Sequence, residues 1–134
     1  MEFRYCPPDG VELRRAFGCF PSGVTAVCAM VGGEPVGMAA SSFTPVSMQP
    51  PLVSICVQNT STTWPKLRNL SRLGLSVLAE GHAGVCTSLS RKVGDRFAEV
   101  SWVQKPNGGV FVEGASAWWD CRVHEELSAG DHTI

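Results

Sequence analysis

The sequence lacks the features that mark a nucleic-acid binder, a membrane protein or a secreted protein. It has 11 Lys and Arg against 12 Asp and Glu, a formal net charge of −1. No basic run interleaves with aromatic residues, so electrostatic capture of a polyanion has no support. Its apolar stretches are only of strand length, which argues against a spanning helix, and the N-terminus carries no signal-peptide pattern. We therefore expect a cytoplasmic protein with no nucleic-acid or membrane partner.

Cysteine is present, but in no pattern that indicates a disulfide framework or a metal site. The six cysteines are widely scattered, and no CxxC pair occurs. Cys28, Cys56 and Cys121 lie in apolar strand patterns, where a free cysteine behaves as a small buried hydrophobe. His82 and Cys86 share a helix face at i, i+4, but the further ligands that a metal needs are missing. We predict free thiols and no metal.

What the sequence does contain is a succession of short strand patterns with a few short helices. Its 134 residues suffice for one domain, residues 1–134, and are too few for two. Gly32-Gly33 marks a hairpin, and many short strands with few helices predict a mainly β, barrel-like fold. We predict strands over 24–30, 36–42, 52–57, 73–79, 110–112 and 116–125, and short helices after Asp9, after Ser61 and over 83–89 and 91–97.

The segment over residues 37–64 is the most informative part of the chain. It is poor in charge and rich in small hydroxyl residues, and a Pro-Pro step leads into an apolar strand. It offers many hydrogen-bond donors and no obvious acid, base or metal ligand, which is typical of a site that holds a polar cofactor and leaves the reaction to it. The alternative is a strand–turn–strand unit with solvated serines, which composition alone favours.

Six motifs in a fixed order give the chain a family resemblance. They are LRRAFGCFPSGVTAV (13–27), GMAASSF (37–43), VSMQPPLVSICV (46–57), STTW (61–64), DRF (95–97) and GDHTI (130–134). The sequence resembles the flavin reductase-like family, whose FMN-binding domains supply reduced flavin to two-component monooxygenases. The resemblance implies a Greek-key FMN-binding split β-barrel with short flanking helices.

The resemblance also implies a set of cofactor contacts. Small residues would leave room for the flavin ring, and hydroxyls with free N–H groups would contact the ribityl phosphate. The alternatives are that the Ser-Thr-Thr segment only caps a helix and that PSGV only forms a turn. The implied contacts are Pro21, Ser22, Gly23, Val24, Met38, Ala39, Ala40, Cys56 and Val57 near the ring; Ser41, Ser42, Ser61, Thr62 and Thr63 near the phosphate; and Asn59 and Phe97.

Two residues have more specific implications. Asn59 stands where relatives frequently carry Arg, so we expect a phosphate contact weaker by about 1–2 kcal/mol and a freely exchanging flavin. His132 of the GDH motif would lie near the nicotinamide and orient it as the catalytic residue. The alternative for His132 is a histidine at a strand start, satisfied by a neighbouring carbonyl. Arg96 of the DRF motif would touch substrate or cofactor.

The function that the resemblance implies is an NAD(P)H-dependent flavin reductase. It would transfer a hydride from NADH or NADPH to FMN, FAD or riboflavin, as a homodimer, with a transient monooxygenase partner. The alternatives are a flavin-binding or carrier domain without turnover and a purely structural β-domain. Because the chain ends at Ile134, where a strand begins, we expect the closing C-terminal strand to be missing.

Overall fold

The computed structural model describes Gly10, Val11, Arg15, residues 23–106 and residues 108–134. Gly10, Val11 and Arg15 are helical, and the rest of the helix predicted after Asp9 lies outside the described residues. The mainly β prediction is confirmed. The strands are β1 Thr25–Val31, β2 Glu34–Ala40, β3 Thr44–Met48, β4 Pro51–Ser54, β5 Val57–Gln58, β6 Leu73–Val77, β7 Trp102–Gln104, β8 Val110–Val112, β9 Ala117–Cys121, β10 Ser128–Ala129 and β11 His132–Thr133, and the helices are α1 Trp64–Leu67 and α2 Ala83–Leu89.

An antiparallel sheet with the order β2-β1-β6-β9 forms the centre of the fold. Strands β1 and β2 form the predicted hairpin. Gly32 and Gly33 have φ angles of 60° and 85°, the conformation that a two-residue turn of this hand requires. Smaller sheets have the orders β10-β11-β5, β3-β4 and β7-β8. No helix in the described part of the chain is long and apolar enough to cross a membrane.

Strand β1 is buried on both faces of the central sheet, because its alternate residues belong to two apolar clusters. Val27, Ala29, Leu73 and Leu75 pack with Leu67 of α1 on one face. The other face carries a second cluster of buried residues, which come from β1, β8, the end of α2 and the segment after α2. They are Ala26, Cys28, Leu89, Phe97, Val100, Val110 and Val112.

Strand β8 crosses close over β6, and this crossing holds β8 against the central sheet. A Cβ atom added to Gly74 would lie 2.2 Å from the carbonyl oxygen of Val110. The crossing therefore requires glycine at this position. Ser76, two residues on, completes the contact by accepting a hydrogen bond from the N–H of Val112 at 3.0 Å.

Two of the predicted elements are wrong. Residues 91–97 form turns rather than a helix: Gly94 has a φ of 90°, and the Asp95 carboxylate accepts the N–H of Phe97 at 2.9 Å. The single strand predicted over 52–57 is two strands, β4 and β5. They separate at Cys56, whose N–H donates to the hydroxyl of Ser42 at 2.8 Å.

The last long strand is shorter than predicted and its tryptophans have partners. Strand β9 ends at Cys121. Trp118 packs against Phe111 with ring centroids 5.2 Å apart and donates from Nε1 to the carbonyl of Val112 at 2.8 Å. Trp119, on the opposite face, stacks on Phe43. Both tryptophans therefore make intramolecular ring contacts.

Candidate functional site

A crevice of about 650 Å³ opens where the end of β2, strand β5, the segment before α1 and the segment after α2 meet. This volume lies within the range of cofactor pockets, about 300–1,000 Å³. The crevice collects residues from distant parts of the chain. It is lined by Met38, Ala39, Ala40, Ser41, Ser42, Cys56, Val57, Gln58, Thr60, Ser61, Thr62, Thr63, Leu89, Ser90, Lys92, Arg96 and His132.

Most of the residues predicted to form the site line this crevice together. The predicted set spans nearly a hundred positions, so its convergence is a property of the fold and not of sequence proximity. The predicted residues in the lining are Met38, Ala39, Ala40, Ser41, Ser42, Cys56, Val57, Ser61, Thr62, Thr63, Arg96 and His132.

Other predicted contacts lie away from the crevice or outside the described residues. Pro21 and Ser22 are not among the described residues. Gly23 is exposed, and Val24 lines a separate cavity of about 140 Å³ beside His82 and Cys86. Gly23 also has open space around its Cβ position, so no contact within the described chain requires glycine there.

Phe97 is a core residue rather than part of the lining. It is 7% exposed and meets Trp102 edge-on at 6.4 Å. A Cβ atom on Gly37 would lie 2.9 Å from the Phe97 ring and 2.5 Å from the sulfur of Cys28. Phe97 therefore supports the crevice from behind, through β2, and has no access to its interior.

Asn59 also lies outside the lining, and its hydrogen bonds are internal. Its backbone N–H donates to the carbonyl of Asp131 at 2.9 Å, and its Nδ2 donates to that of Gly130 at 3.2 Å. Its Oδ1 accepts from the Thr133 hydroxyl at 2.9 Å. Both ends of the amide thus bind the C-terminal hairpin, and the direct cofactor contact of Asn59 stays a prediction.

Arg96 joins three segments at the crevice. Its Nη1 donates to the carbonyl of Gly37 and to Oγ1 of Thr63, both at 2.9 Å, and its Nε donates to the carbonyl of Arg91. These acceptors are neutral, so they satisfy the donors without cancelling the charge. The guanidinium therefore fixes the shape of the crevice and leaves a positive charge beside it.

The electrostatic character of the lining follows from its composition. Among the described residues that line the crevice there are two cations, Lys92 and Arg96, several hydroxyls and no carboxylate. Cations with hydroxyl donors favour an anionic ligand such as a phosphate.

The sequence did not predict five residues of the crevice lining, namely Lys92, Ser90, Leu89, Gln58 and Thr60. The DRF motif was the only signal near Lys92, and Thr60 lies within the hydroxyl-rich segment.

Two of the predicted hydroxyls also have structural partners. Ser61 Oγ accepts from the N–H groups of Thr63 and Trp64 at 3.3 and 3.1 Å, and so orders the segment that leads into α1, whose N-cap residue is Thr63. Ser42 Oγ exchanges hydrogen bonds with the backbone of Cys56. Both residues line the crevice and also fix the path of its walls.

His132 reaches the crevice from β11, where it pairs with Gln58 of β5. Its Nδ1 lies 2.7 Å from Oδ1 of Asp131. This hydrogen bond, aided by the charge of the imidazolium, lowers the pKa of the Asp131 carboxyl below its ordinary value of 3.8. The carboxylate occupies one ring nitrogen and so orients the ring.

The cysteines differ in their surroundings, and Cys56 differs from its prediction. Cys56 is half-buried and lines the crevice at the break between β4 and β5, outside any strand. Cys28 is fully buried in β1, where desolvation raises the pKa of its thiol to about 12. Burial and the neighbouring Asp120 carboxylate raise the pKa of Cys121. Cys28 is therefore an inert core thiol.

The comparisons with known proteins agree with this architecture. The "Flavin reductase like domain" model matches residues 17–134. A solved structure of a Streptomyces globisporus NADH:FAD oxidoreductase, in complex with NAD and FAD fragments, superposes with a TM-score of 0.89 at 40% identity, over 98% of this chain and 80% of that one.

Curated relatives point the same way. The chain is 40% identical to a flavin reductase of Pseudomonas putida, over 94% of this chain and 75% of that protein. It is 38% identical to the reductase subunit of stachydrine N-demethylase of Rhizobium meliloti (strain 1021), again over 94% of this chain. It spans 55% of that subunit and 41% of another relative from the same organism. The chain belongs to the flavin reductase-like family.

Proposed function

We propose that the protein is an NAD(P)H-dependent flavin reductase that binds FMN or FAD in the crevice. A single observation carries the proposal: hydroxyls from two distant segments, two cations and His132 converge on one cavity of cofactor size that has no carboxylate among its described lining residues. Ala39 and Ala40 supply a wall with little side-chain bulk, which suits a flat ring. Bound there, the flavin would supply the electron chemistry by accepting a hydride from the nicotinamide.

The residues of the chain would bind and orient the two substrates. Lys92, Arg96 and the hydroxyls of Thr60 and Thr62 offer charge-assisted and neutral hydrogen bonds to a flavin phosphate. His132 would hold the nicotinamide against the ring, since hydride transfer requires positioning rather than a protein acid. Relatives named as NADH-dependent FAD reductase and as flavin reductase support this assignment.

The partner of the reaction is proposed from the relatives. One is the reductase component of a flavin-dependent trigonelline monooxygenase, and another is the reductase subunit of a flavin-dependent monooxygenase. We propose that the protein passes reduced flavin to a separate monooxygenase in the cytoplasm and that it acts as a homodimer. A monomer mass by light scattering at micromolar concentration would rule out the proposed homodimer.

The experiment that tests the function is the anaerobic oxidation of NADH and, separately, of NADPH with FMN or FAD. We expect the nicotinamide absorbance to fall, and the flavin to bleach, at rates proportional to protein concentration. Oxidation no faster than with flavin alone would overturn the reductase proposal. If FMN then still quenched tryptophan emission saturably, a flavin-binding or carrier domain without turnover would remain.

A further inference from the structure

The C-terminal hairpin, residues 128–133, carries His132 on very short strands. Strands β10 and β11 contain two residues each, and β11 pairs with the equally short β5. Gly130 makes the turn with a φ of 65°. Two ladder positions pair β11 with β5, and the backbone N–H of Asn59 extends this pairing to the carbonyl of Asp131.

Asn59 forms hydrogen bonds to the hairpin on both sides of His132. It binds the carbonyls of Gly130 and Asp131 on the N-terminal side and the hydroxyl of Thr133 on the C-terminal side. One carboxamide therefore uses its donor and its acceptor on the same hairpin. An arginine at this position has no acceptor to offer Thr133, and an aspartate has no donor for Gly130.

We propose that Asn59 is a positioning residue that holds the C-terminal hairpin so that His132 faces the crevice. The inference rests on the proposed function, since it assigns Asn59 to nicotinamide binding rather than to flavin binding. Asn59 itself does not line the crevice, and His132 does. The effect of Asn59 on the reaction must therefore pass through the hairpin.

Variants of both partners test this linkage. Asn59→Ala removes both side-chain bonds and keeps the backbone N–H, and Thr133→Val removes one bond with little change of shape. Ser128→Ala is the matched control, because Ser128 is exposed on the same hairpin and lies outside the crevice lining. Each variant is assayed for KM of NADH, for Kd of FMN, and for amide hydrogen exchange over residues 130–134.

We expect Asn59→Ala to raise KM for NADH about three- to tenfold, and Kd for FMN by less than about twofold, since the two hydrogen bonds that are lost lie outside the crevice lining. Thr133→Val has a smaller effect in the same direction, and Ser128→Ala resembles the wild type. Hydrogen exchange over residues 130–134 accelerates in the first two variants. In a His132→Gln background, Asn59→Ala no longer changes KM, because the residue through which it acts is absent.

The outcomes separate the two proposals. A wild-type protein that oxidises neither NADH nor NADPH defeats the proposed function, and with it the role of Asn59 in the reaction. A wild-type protein that turns over, with an Asn59→Ala variant of unchanged KM and unchanged hairpin exchange, defeats this inference alone. A rise in Kd for FMN equal to the rise in KM for NADH, or an undiminished Asn59→Ala effect in the His132→Gln background, would also overturn it.

Discussion

Arg96 donates from Nη1 to Oγ1 of Thr63 across 2.9 Å, and this bond joins two segments that are 33 residues apart. The same nitrogen donates to the carbonyl of Gly37 in β2. Thr63 is only 7% exposed, so its hydroxyl would be costly to leave unpaired. The pair therefore links β2, the hydroxyl-rich segment before α1, and the turns after α2 into one wall of the crevice.

The first prediction concerns this pair. Arg96→Lys keeps the charge but loses the planar fork, so we expect Kd for FMN to rise about tenfold. Riboflavin affinity should change less, because riboflavin has no phosphate. Equilibrium titrations of tryptophan fluorescence measure both. Arg91→Lys is the control, since only the carbonyl of Arg91 contacts Arg96 and its side chain pairs with Glu99. Equal losses for FMN and riboflavin would contradict a role in phosphate binding.

The second prediction concerns the crossing of β8 over β6. Gly74→Ala places a methyl group against the Val110 carbonyl, and we expect it to lower the free energy of unfolding by about 3 kcal/mol or more. Gly84→Ala in α2 meets nothing within 4 Å. It should raise stability by about 0.5–1 kcal/mol, because alanine restricts the unfolded chain. Urea denaturation of both variants measures their free energies of unfolding. A Gly74→Ala variant as stable as the wild type would contradict the prediction.

The third prediction concerns thiol reactivity. The Cys28 thiol, with a pKa of about 12, should resist alkylation at pH 8 in the folded protein. Cys56 lines the crevice, so it should be alkylated, and saturating FMN should slow its modification. Peptide mapping by mass spectrometry distinguishes the sites. Rapid labelling of Cys28, or labelling of Cys56 that flavin does not affect, would contradict the structure.

The same pKa has a consequence for stability. An acid whose pKa is higher in the folded state remains neutral after its unfolded counterpart ionises. The contribution of Cys28 is therefore complete below its ordinary pKa of 9.0 and falls as the pH rises from there towards 12. Cys28→Ala should flatten the alkaline part of the stability profile, measured as urea midpoints between pH 8 and pH 11.

The fourth prediction concerns Asp131 and His132. The pKa of Asp131 is lowered by the hydrogen bond from His132, so the pair favours folding above pH 3.8. That contribution is lost as the pH falls through the lowered pKa of the carboxyl. His132→Gln should return the pKa of Asp131 towards 3.8, as read from its carboxyl resonance by NMR. An Asp131 pKa that stays low without the imidazole would show that the hydrogen bond is not its cause.

The strands with a regular apolar pattern could be predicted from the sequence alone. β1, β2 and β6 could be predicted because they are apolar runs of strand length and because Gly32-Gly33 marks the turn between β1 and β2. Residues 91–97 were wrongly predicted as a helix, since local propensity carries no information on the left-handed conformation of Gly94 or on the Asp95 turn. The break at Cys56 depends on a hydroxyl 14 residues away, which no local pattern reveals.

The site was predicted best where one motif supplies several wall residues. Ser41 and Thr62 come from motifs in the hydroxyl-rich segment, and both line the crevice. The hydrogen bonds of Asn59 to the hairpin could not be predicted, because they join residues more than 70 positions apart. Lys92 was missed, since its position depends on how the turns after α2 pack.

Flavin binding in the crevice between β2 and β5 underlies every proposal made for this protein, and a crystal structure with FMN examines it. We expect the isoalloxazine ring beside Ala39 and Ala40, with the phosphate among the hydroxyls before α1 and within reach of Lys92 or Arg96. Flavin bound elsewhere, or a crevice closed by its own side chains at saturating FMN, would show that this crevice is not the flavin site.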